Sequence, residues 1–539
     1  MSTAPTQGDD RSRTIEAEIA DSSIAQTPIA DPNPLDALPE DASRGRGLRN
    51  KTARGLLINS GFRVGLACVN LARHVGVAAF VTASVYGLWA LLITTLMTLA
   101  FLKQVGIVDK YIQQQDDDQV AAFQKAFTLQ LVYTLLFVVI CAVAIPVYAL
   151  AVYGRPEILL PGLVLSLSLI ATSLQTPTWI FYRRMDYVRQ RGLEMVDPLV
   201  TTLMTVVLLV AGMELWGLVL GFLSGSVAGA VAALVANPYP LGLRWDRGAL
   251  REYFSFSWPL FVGGIGGLLV VQGTVIIGNA ALGLAAVGAI GLATNFSRFS
   301  SSIEQLLNVT MYPAVCRVQD RRDLLLEVFV KSNRLGLMWA LPFGVGLSLF
   351  AADLVNFVFG STWEGAIPLL QVFGLTFGFG TIAFAWGIFY KAIGKTRQVA
   401  VAAVAAVIVF FAVTVPLMLT IGVIGYAIGM AAATLVQLIL RGYYLRRLFP
   451  GFNLVKHALR AVAPMVPAVG VVLLIRLAEG GGTRSLGMAL AELGVYALVV
   501  GGATYVTERR LITESIGYLT GAVRKDRSVA VQGARVASG

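Results

Sequence analysis

Residues 195–237 read MVDPLVTTLMTVVLLVAGMELWGLVLGFLSGSVAGAVAALVAN, and this stretch decides the fold class. It holds two apolar runs, near 195–213 and 216–237, with a short break between them. Each run has about the 20 residues that an α-helix needs to cross the hydrocarbon core of a bilayer. The runs are continuous, whereas strands of a membrane β-barrel alternate apolar and polar residues over about 10 positions. The stretch therefore predicts two membrane-spanning helices.

The rest of the chain has the same character. Of its 539 residues, 56% are apolar and 14% are charged, and the mean hydropathy is +0.72. An average soluble protein has about 25% charged residues, so the composition excludes a soluble globular protein, a disordered chain and a disulfide scaffold. Fourteen apolar spans are predicted, near 56–79, 85–106, 123–150, 158–182, 195–213, 216–237, 254–279, 286–312, 335–354, 366–390, 398–419, 422–444, 458–478 and 487–507.

Similar short motifs recur between the two halves of the chain. Val-Tyr-Gly at 152–154 returns as Val-Phe-Gly at 358–360, and Ile-Phe-Tyr-Arg at 180–183 returns as Ile-Phe-Tyr-Lys at 388–391. The offset stays between 206 and 208 and six spans separate the copies, so the two copies have the same orientation in the membrane. Parallel repeats of this kind are a transporter architecture.

The predicted fold class is therefore an all-α polytopic membrane protein of about 14 transmembrane helices, with two parallel six-helix lobes plus two C-terminal helices. The predicted parts are a disordered cytoplasmic tail (1–54), an N-lobe of helices 1–6 (55–253), a C-lobe of helices 7–12 (254–450), two extra helices (451–507) and a cytoplasmic tail (508–539).

The net charge of +11 would suit a nucleic-acid binder, but the positions of the charges favour another interpretation. Of the 42 Lys and Arg residues, 36 lie in or beside one alternating set of connections and tails, and only Arg155 and Arg484 lie in the opposite set. Such an asymmetry is typical of multi-pass proteins whose basic loops stay in the cytoplasm. It predicts a multi-pass protein with both termini cytoplasmic and no nucleic-acid partner.

The first and eighth spans each carry a polar stripe. At 100° per residue, the first stripe groups Arg63, Asn70, Arg73 and His74 on one side of the helix. The second stripe contains Asn295, Arg298 and Gln305, with Glu304 at its edge. Charged groups within hydrocarbon are costly unless they face a partner or water, so both stripes are expected to line a cavity.

Arg298 is predicted near the bilayer midplane, and its structural alternative is pairing with Glu304 or with the carbonyl groups of a helix end. A cavity lined by arginines suits an anion, because guanidinium binds phosphate through two parallel hydrogen bonds. Glu304 and His74 are the candidates for ion coupling. Asp197 is placed at the start of a span, and Arg476 is interpreted as an anchor that reaches the outer interface. No pattern typical of a metal site, a cofactor or a hydrolytic active site is present, so no cofactor, metal or enzyme activity is predicted.

Several segments in order resemble the polysaccharide exporter family of the multidrug/oligosaccharidyl-lipid/polysaccharide flippase superfamily. They cover about residues 50–450 and are NLARHVG (70–76), VYGLWA (85–90), SWPL (257–260), AAVGAIGLA (285–293), MYPA (311–314), VFG (358–360) and PLL (368–370).

The resemblance implies a bacterial inner-membrane flippase that moves polyprenyl-pyrophosphate-linked oligosaccharide repeat units outward for exopolysaccharide, capsule or O-antigen assembly. It also implies a cationic central cavity, a role that falls here on Arg298, Arg63 and Arg73, with Asn70, Asn295 and Gln305 as further substrate contacts. The implied partners are the lipid-linked oligosaccharide, membrane lipids, and a polysaccharide polymerase with its chain-length regulator. Relatives often carry a polar group in the middle of the seventh span, where this chain has Gln272 and Thr274.

Three alternatives stay open at this point. A drug or cation antiporter of the same superfamily would need an embedded carboxylate, for which Glu304 is the mid-membrane candidate. A lipid II flippase would share both the cationic cavity and the helix number. A membrane glycosyltransferase or polymerase would resemble families with a sizeable external loop, which this chain lacks.

Overall fold

The computed structural model describes residues 43–102, 107–113, 118–184, 186–245, 266–304, 307, 311, 315, 321–395, 397–479 and 484–536. Within these residues the secondary structure is helical and contains no strand, as the apolar runs predict. Residues 52–539 form a single compact unit by backbone contacts.

The helices follow the predicted spans closely. In the first half they are Ser43–Phe80, Ala83–Leu102, Ile107–Gln113, Gln119–Pro146, Leu159–Ser166, Ser168–Ser173, Thr178–Arg183, Tyr187–Val210 and Glu214–Val235. In the second half they are Gly266–Leu282, Leu284–Arg298, Arg322–Leu349, Ala351–Leu354, Ile367–Gly380, Trp386–Ala392, Arg397–Val409, Val415–Ile421 and Val423–Leu448. The last three are Leu454–Val462, Met465–Ala478 and Leu486–Val536.

Eight helices among the described residues are long and apolar enough to cross a bilayer, and the number rises to ten if two bent pairs each count as one span. This establishes a multi-pass membrane protein. The total of fourteen spans stays a prediction, because parts of the seventh and eighth spans lie outside the described residues.

The predicted N-terminal tail differs from the structure in part. The first helix begins at Ser43, so residues 43–54 are helical although their composition predicts disorder. No proline interrupts this segment, and the helix of the first span can therefore extend backwards through it. At the other end, helix Leu486–Val536 bends at Glu508 and continues through most of the predicted C-terminal tail.

Helical irregularities recur at the offset of the sequence repeat. Two π-helical segments, Val147–Val152 and Val355–Phe359, lie 207 to 208 positions apart. The fourth predicted span is broken at 174–177 and the tenth at 381–385, again about 207 positions apart. Interrupted helices at matching positions of two halves are a typical feature of transporters, where free backbone groups lie next to the transport path.

The glycines of helix Glu214–Val235 allow close packing against a neighbouring helix. A Cβ atom at Gly221 would lie 2.2 Å from Thr205 Oγ1, and one at Gly225 would lie 2.6 Å from the Asp197 carbonyl oxygen. Small residues allow two helix backbones to approach in this way within a membrane.

Candidate functional site

The phenol of Tyr86 joins the two predicted polar stripes. Tyr86 Oη lies 3.2 Å from His74 Nδ1, and Asn295 Nδ2 donates a hydrogen bond to the same oxygen over 3.1 Å. Tyr86 is almost completely buried. Because Asn295 acts as donor, the phenol retains its own proton for a hydrogen bond to His74. One buried hydroxyl thus connects the first, second and eighth predicted spans.

The first turns of two helices pack directly against each other next to Tyr86. A Cβ atom at Gly87 would lie 2.1 Å from the Leu284 carbonyl oxygen, and one at Gly288 would lie 1.9 Å from the Ala83 carbonyl oxygen. Only glycine permits so close a contact between backbones. Helices Ala83–Leu102 and Leu284–Arg298 therefore touch at the ends where both begin.

Trp363 completes this closed end. Its indole Nε1 donates to the Ala78 carbonyl oxygen over 2.9 Å, and its ring meets Tyr86 edge to face at a centroid distance of 5.5 Å. The Trp363 side chain is fully buried. We call the set of Ala78, Ala83, Tyr86, Gly288 and Trp363 the closed end.

The three predicted arginines lie at increasing distances from the closed end, measured along their helices. Counted along their helices at 1.5 Å per residue, Arg73 lies about 10 Å from the helix end, Arg298 about 21 Å and Arg63 about 26 Å. Arg73 and Arg63 are half-buried, and Arg298 is exposed. Arg73 is within electrostatic range of Tyr86 and Asp197, and Arg298 is within range of Tyr426.

The structure describes the predicted substrate contacts Asn70 and Arg63 but not Gln305. Asn70 is half-buried, and neither its side chain nor that of Arg63 has a hydrogen bond or ion pair with another described residue. Gln305 lies outside the described residues. The structure thus brings Arg73, His74 and Asn295 together around Tyr86.

Glu304 interacts electrostatically with Arg441, whereas the sequence suggested Arg298 as its partner. The alternative for Arg298 was an ion pair with Glu304, but the cation that acts on Glu304 is Arg441. Arg441 donates to the carbonyl oxygens of Gly380 and Ile382 over 2.5 and 3.1 Å. These carbonyls belong to the break in the tenth predicted span, where helical hydrogen bonding is interrupted.

Asp197 lies in the middle of a helix that begins before the predicted span. It is the eleventh residue of helix Tyr187–Val210. Its carboxylate accepts hydrogen bonds from Gln175 Nε2 and Thr201 Oγ1, both over 3.1 Å. Gln175 sits at the break in the fourth predicted span, so this acid supports the interrupted helix of the first half.

Arg476 is part of an ion-pair network, and the interpretation as a simple interface anchor is wrong. Arg476 contacts Asp353 and Glu492, each over 3.2 Å. Arg484 contacts the same two acids over 2.9 and 2.7 Å. Two cations and two largely buried acids therefore connect the last two membrane helices to the end of helix Ala351–Leu354.

Sequence reasoning missed three residues at these sites. Tyr86 stands inside VYGLWA, a segment that carried the family resemblance, but a lone tyrosine in an apolar span gives no signal of its hydrogen bonds. Arg441 was counted with the cytoplasmic charges because it lies near the end of a span. Trp363 is indistinguishable in sequence from an interface tryptophan.

Comparison with known proteins identifies the family. A family described as "Polysaccharide biosynthesis protein" matches residues 77–368, which is more than half of the chain. The chain belongs to this family. The matched region of this polysaccharide biosynthesis protein begins beside the closed end and includes Tyr86, Asn295, Arg298 and Trp363.

A curated relative agrees with this assignment. An "Uncharacterized membrane protein in cps region" of Klebsiella pneumoniae is 24% identical over 266 residues, or 49% of this chain. The chain spans about half of that relative's length (54%).

Solved structures define the fold. The inward closed conformation of lipid II flippase MurJ matches 84% of this chain and 99% of its own, with a TM-score of 0.67 and 14% identity. The inward-facing conformation of a multidrug resistance MATE family transporter matches 73% of this chain and 100% of its own, with a TM-score of 0.58 and 13% identity. The chain therefore shares the fold of these two membrane proteins.

Proposed function

We propose that this protein moves polyprenyl-pyrophosphate-linked oligosaccharide repeat units across the bacterial inner membrane. The polymer made from them would be an exopolysaccharide, capsule or O-antigen. In this proposal both termini are cytoplasmic, the substrate enters from the cytoplasm, and it leaves on the outer side. The family assignment supports a role in polysaccharide biosynthesis, and the fold supports translocation rather than synthesis.

The observation that carries the proposal is the order of the arginines below the closed end. Arg73, Arg298 and Arg63 lie at successive distances from the closed end on two helices, Ser43–Phe80 and Leu284–Arg298. Guanidinium groups bind phosphate oxygens in pairs, so such a series suits a pyrophosphate that moves along the helices. Asn70, Asn295 and Gln305 would supply neutral hydrogen bonds for sugar hydroxyls.

The closed end supplies the gate of an alternating-access cycle. The contacts Asn295–Tyr86, Gly288–Ala83 and Trp363–Ala78 each join residues 55–253 to residues 254–450, which we propose as two lobes. Outward opening must separate all three contacts. A bound anion would favour that step only if it interacts more strongly with the opened state.

The two embedded acids favour a flippase over a cation antiporter. An antiporter needs a carboxylate that can exchange its cation during the cycle. Glu304 is within range of the fixed charge of Arg441, and Asp197 accepts two hydrogen bonds from neighbouring side chains. Ion coupling through Glu304 or His74 remains part of the proposal as an accessory step. A polymerase and a chain-length regulator would use the exported units.

A clean deletion with complementation tests the proposal. The deletion strain should lose surface polymer and accumulate intact lipid-linked repeat units, which mass spectrometry identifies. Wild-type protein and Arg155→Ala should restore polymer, whereas Arg298→Ala should insert normally and restore none. Normal polymer in the deletion strain, with altered resistance to cationic drugs, would support an antiporter instead. Lethality of the deletion would favour a lipid II flippase.

A further inference from the structure

A basic cavity lies away from the arginines of the transport path. It encloses about 450 Å³ at the ends of helices Arg322–Leu349, Trp386–Ala392, Arg397–Val409 and Val423–Leu448. Its volume is within the range of small-molecule sites in proteins, about 300–1,000 Å³. The lining residues are Arg322, Leu325, Tyr390, Ile393, Lys395, Gln398, Tyr444, Arg447 and Leu448.

The charged residues that line this cavity in the described part of the chain are all positive. They are Arg322, Lys395 and Arg447. Among the described residues, none of these three cations has a carboxylate within ion-pair distance. Arg322 is also the first residue of a 28-residue helix, where the backbone N–H groups already create a positive end. These exposed cations together create a positive potential that attracts an anion.

The cavity has fixed walls and an unused polar group. Tyr390 Oη donates to the Tyr444 carbonyl oxygen over 2.7 Å, and the guanidinium of Arg447 lies 4.6 Å from the centre of the Tyr443 ring. The side-chain oxygen of Gln398 is buried without a hydrogen-bond partner. Since the amide can turn by 180°, Gln398 can direct its N–H group towards an anion.

A strip of exposed side chains on helix Val423–Leu448 leads towards the cavity. Leu435, Ile439 and Tyr443 follow one another at intervals of four on helix Val423–Leu448, and all three are exposed. Arg447 continues the same strip by one turn and reaches the cavity. An acyl chain lying on this strip would therefore place its headgroup next to Arg447.

From this arrangement we infer that the cavity binds the phosphate headgroup of an anionic phospholipid of the surrounding leaflet. The three cations bind the phosphate, the Gln398 amide donates to it, and the strip from Leu435 to Tyr443 holds an acyl chain. Basic pockets between transmembrane helices bind anionic headgroups in this way. The inference does not depend on the transported substrate.

Native mass spectrometry of the full-length protein in detergent tests the inference, with phosphatidylglycerol as the probe. Wild-type protein should retain one tightly bound phosphatidylglycerol and no phosphatidylcholine. At about 1 kcal/mol per cation, Arg447→Gln should weaken retention about fivefold, and combining it with Arg322→Gln and Lys395→Gln about 100-fold. The matched control combines Lys391→Gln, Arg397→Gln and Arg446→Gln, which remove three neighbouring charges outside the cavity and should leave retention unchanged.

Competition identifies the source of the phosphate. The bound lipid should resist millimolar inorganic phosphate and an excess of polyprenyl pyrophosphate. Displacement by inorganic phosphate would assign the cavity to a soluble anion, and displacement by polyprenyl pyrophosphate would assign it to the transported substrate. Either result overturns the inference, as would equal retention by wild-type protein and the cavity variants. If the triple variant does not fold, Arg447→Gln beside Arg446→Gln provides the same comparison.

Discussion

The side-chain amide of Asn295 donates a hydrogen bond to the phenol oxygen of Tyr86 over 3.1 Å, across 209 positions of sequence. The same oxygen contacts His74 on the first helix. This contact joins the two polar stripes at the place where the helices of the two halves touch. In the proposed cycle it is formed when the outer side is closed and broken when the substrate leaves.

Replacing Tyr86 with Phe should favour the outward-open state. The change removes a hydroxyl with two hydrogen-bond contacts, each worth about 1 kcal/mol. The ratio of outward-open to outward-closed protein should therefore rise by about tenfold or more. The measurement is labelling of Val81→Cys by a membrane-impermeant maleimide in a background without the native cysteines. Val81 is buried beside the closed end, so labelling reports its opening.

Phe222→Tyr, which adds a hydroxyl elsewhere, serves as the control for a changed aromatic side chain. It should leave the labelling of Val81→Cys unchanged. Unchanged labelling in the Tyr86→Phe variant would show that the phenol does not hold the outer side closed.

Gly288→Ala should prevent closure of the outer side. The added Cβ would lie 1.9 Å from the Ala83 carbonyl oxygen, so the two helices must move apart. We expect polymer export to fall at least tenfold at equal protein level, because the closed state becomes strained. Gly470→Ala is the control, since its Cβ meets no atom within 4 Å. Equal export by both variants would contradict the assignment of this contact to the gate.

The sequence predicts the fold class because membrane spans are long and the charge asymmetry orders them. Positions 195–237 alone indicate a helical hairpin, and the offset of 206–208 indicates a repeat. The polar stripes predict that Arg73, His74 and Asn295 face away from the lipid, because burying charged or hydrogen-bonding groups in hydrocarbon costs free energy.

The partners of these groups could not be predicted. A stripe on a helical wheel gives the direction of a side chain but not the residue opposite. Tyr86 becomes the shared partner of two stripes only through the contact of two distant helices. For the same reason the sequence placed Arg441 among the charges of a cytoplasmic connection. It also did not predict that Arg476 contacts two acids.

Glu492→Gln should destabilise the protein without affecting the transport site. Glu492 is almost completely buried and contacts both Arg476 and Arg484, so neutralising it removes one ion-pair partner from each of these two cations. Breaking a buried ion pair costs about 3–5 kcal/mol. We expect a lower Tm in detergent, with normal export per folded molecule. Asp323→Asn is the control, because that acid is exposed and lies 4.0 Å from Arg321; a Tm equal to this control would show that the network contributes nothing.

The Glu304→Gln variant tests whether this acid has a structural role or couples ion binding to transport. Glu304 acts on Arg441, which holds the carbonyl groups at the break of the tenth predicted span. We expect a lower Tm and export that persists per folded molecule, because the arginines of the transport path are intact. Loss of export with an unchanged Tm would instead assign ion coupling to Glu304.

The most direct measurement is translocation by purified protein in vesicles. The lipid-linked oligosaccharide is placed in both leaflets, and a membrane-impermeant glycosidase outside reports how much becomes accessible. Wild-type protein and Arg155→Ala should make nearly all of it accessible, whereas Arg298→Ala should leave the inner-leaflet half protected. Equal accessibility with Arg298→Ala, or no translocation by the wild-type protein, would contradict an arginine-lined path for a lipid-linked oligosaccharide.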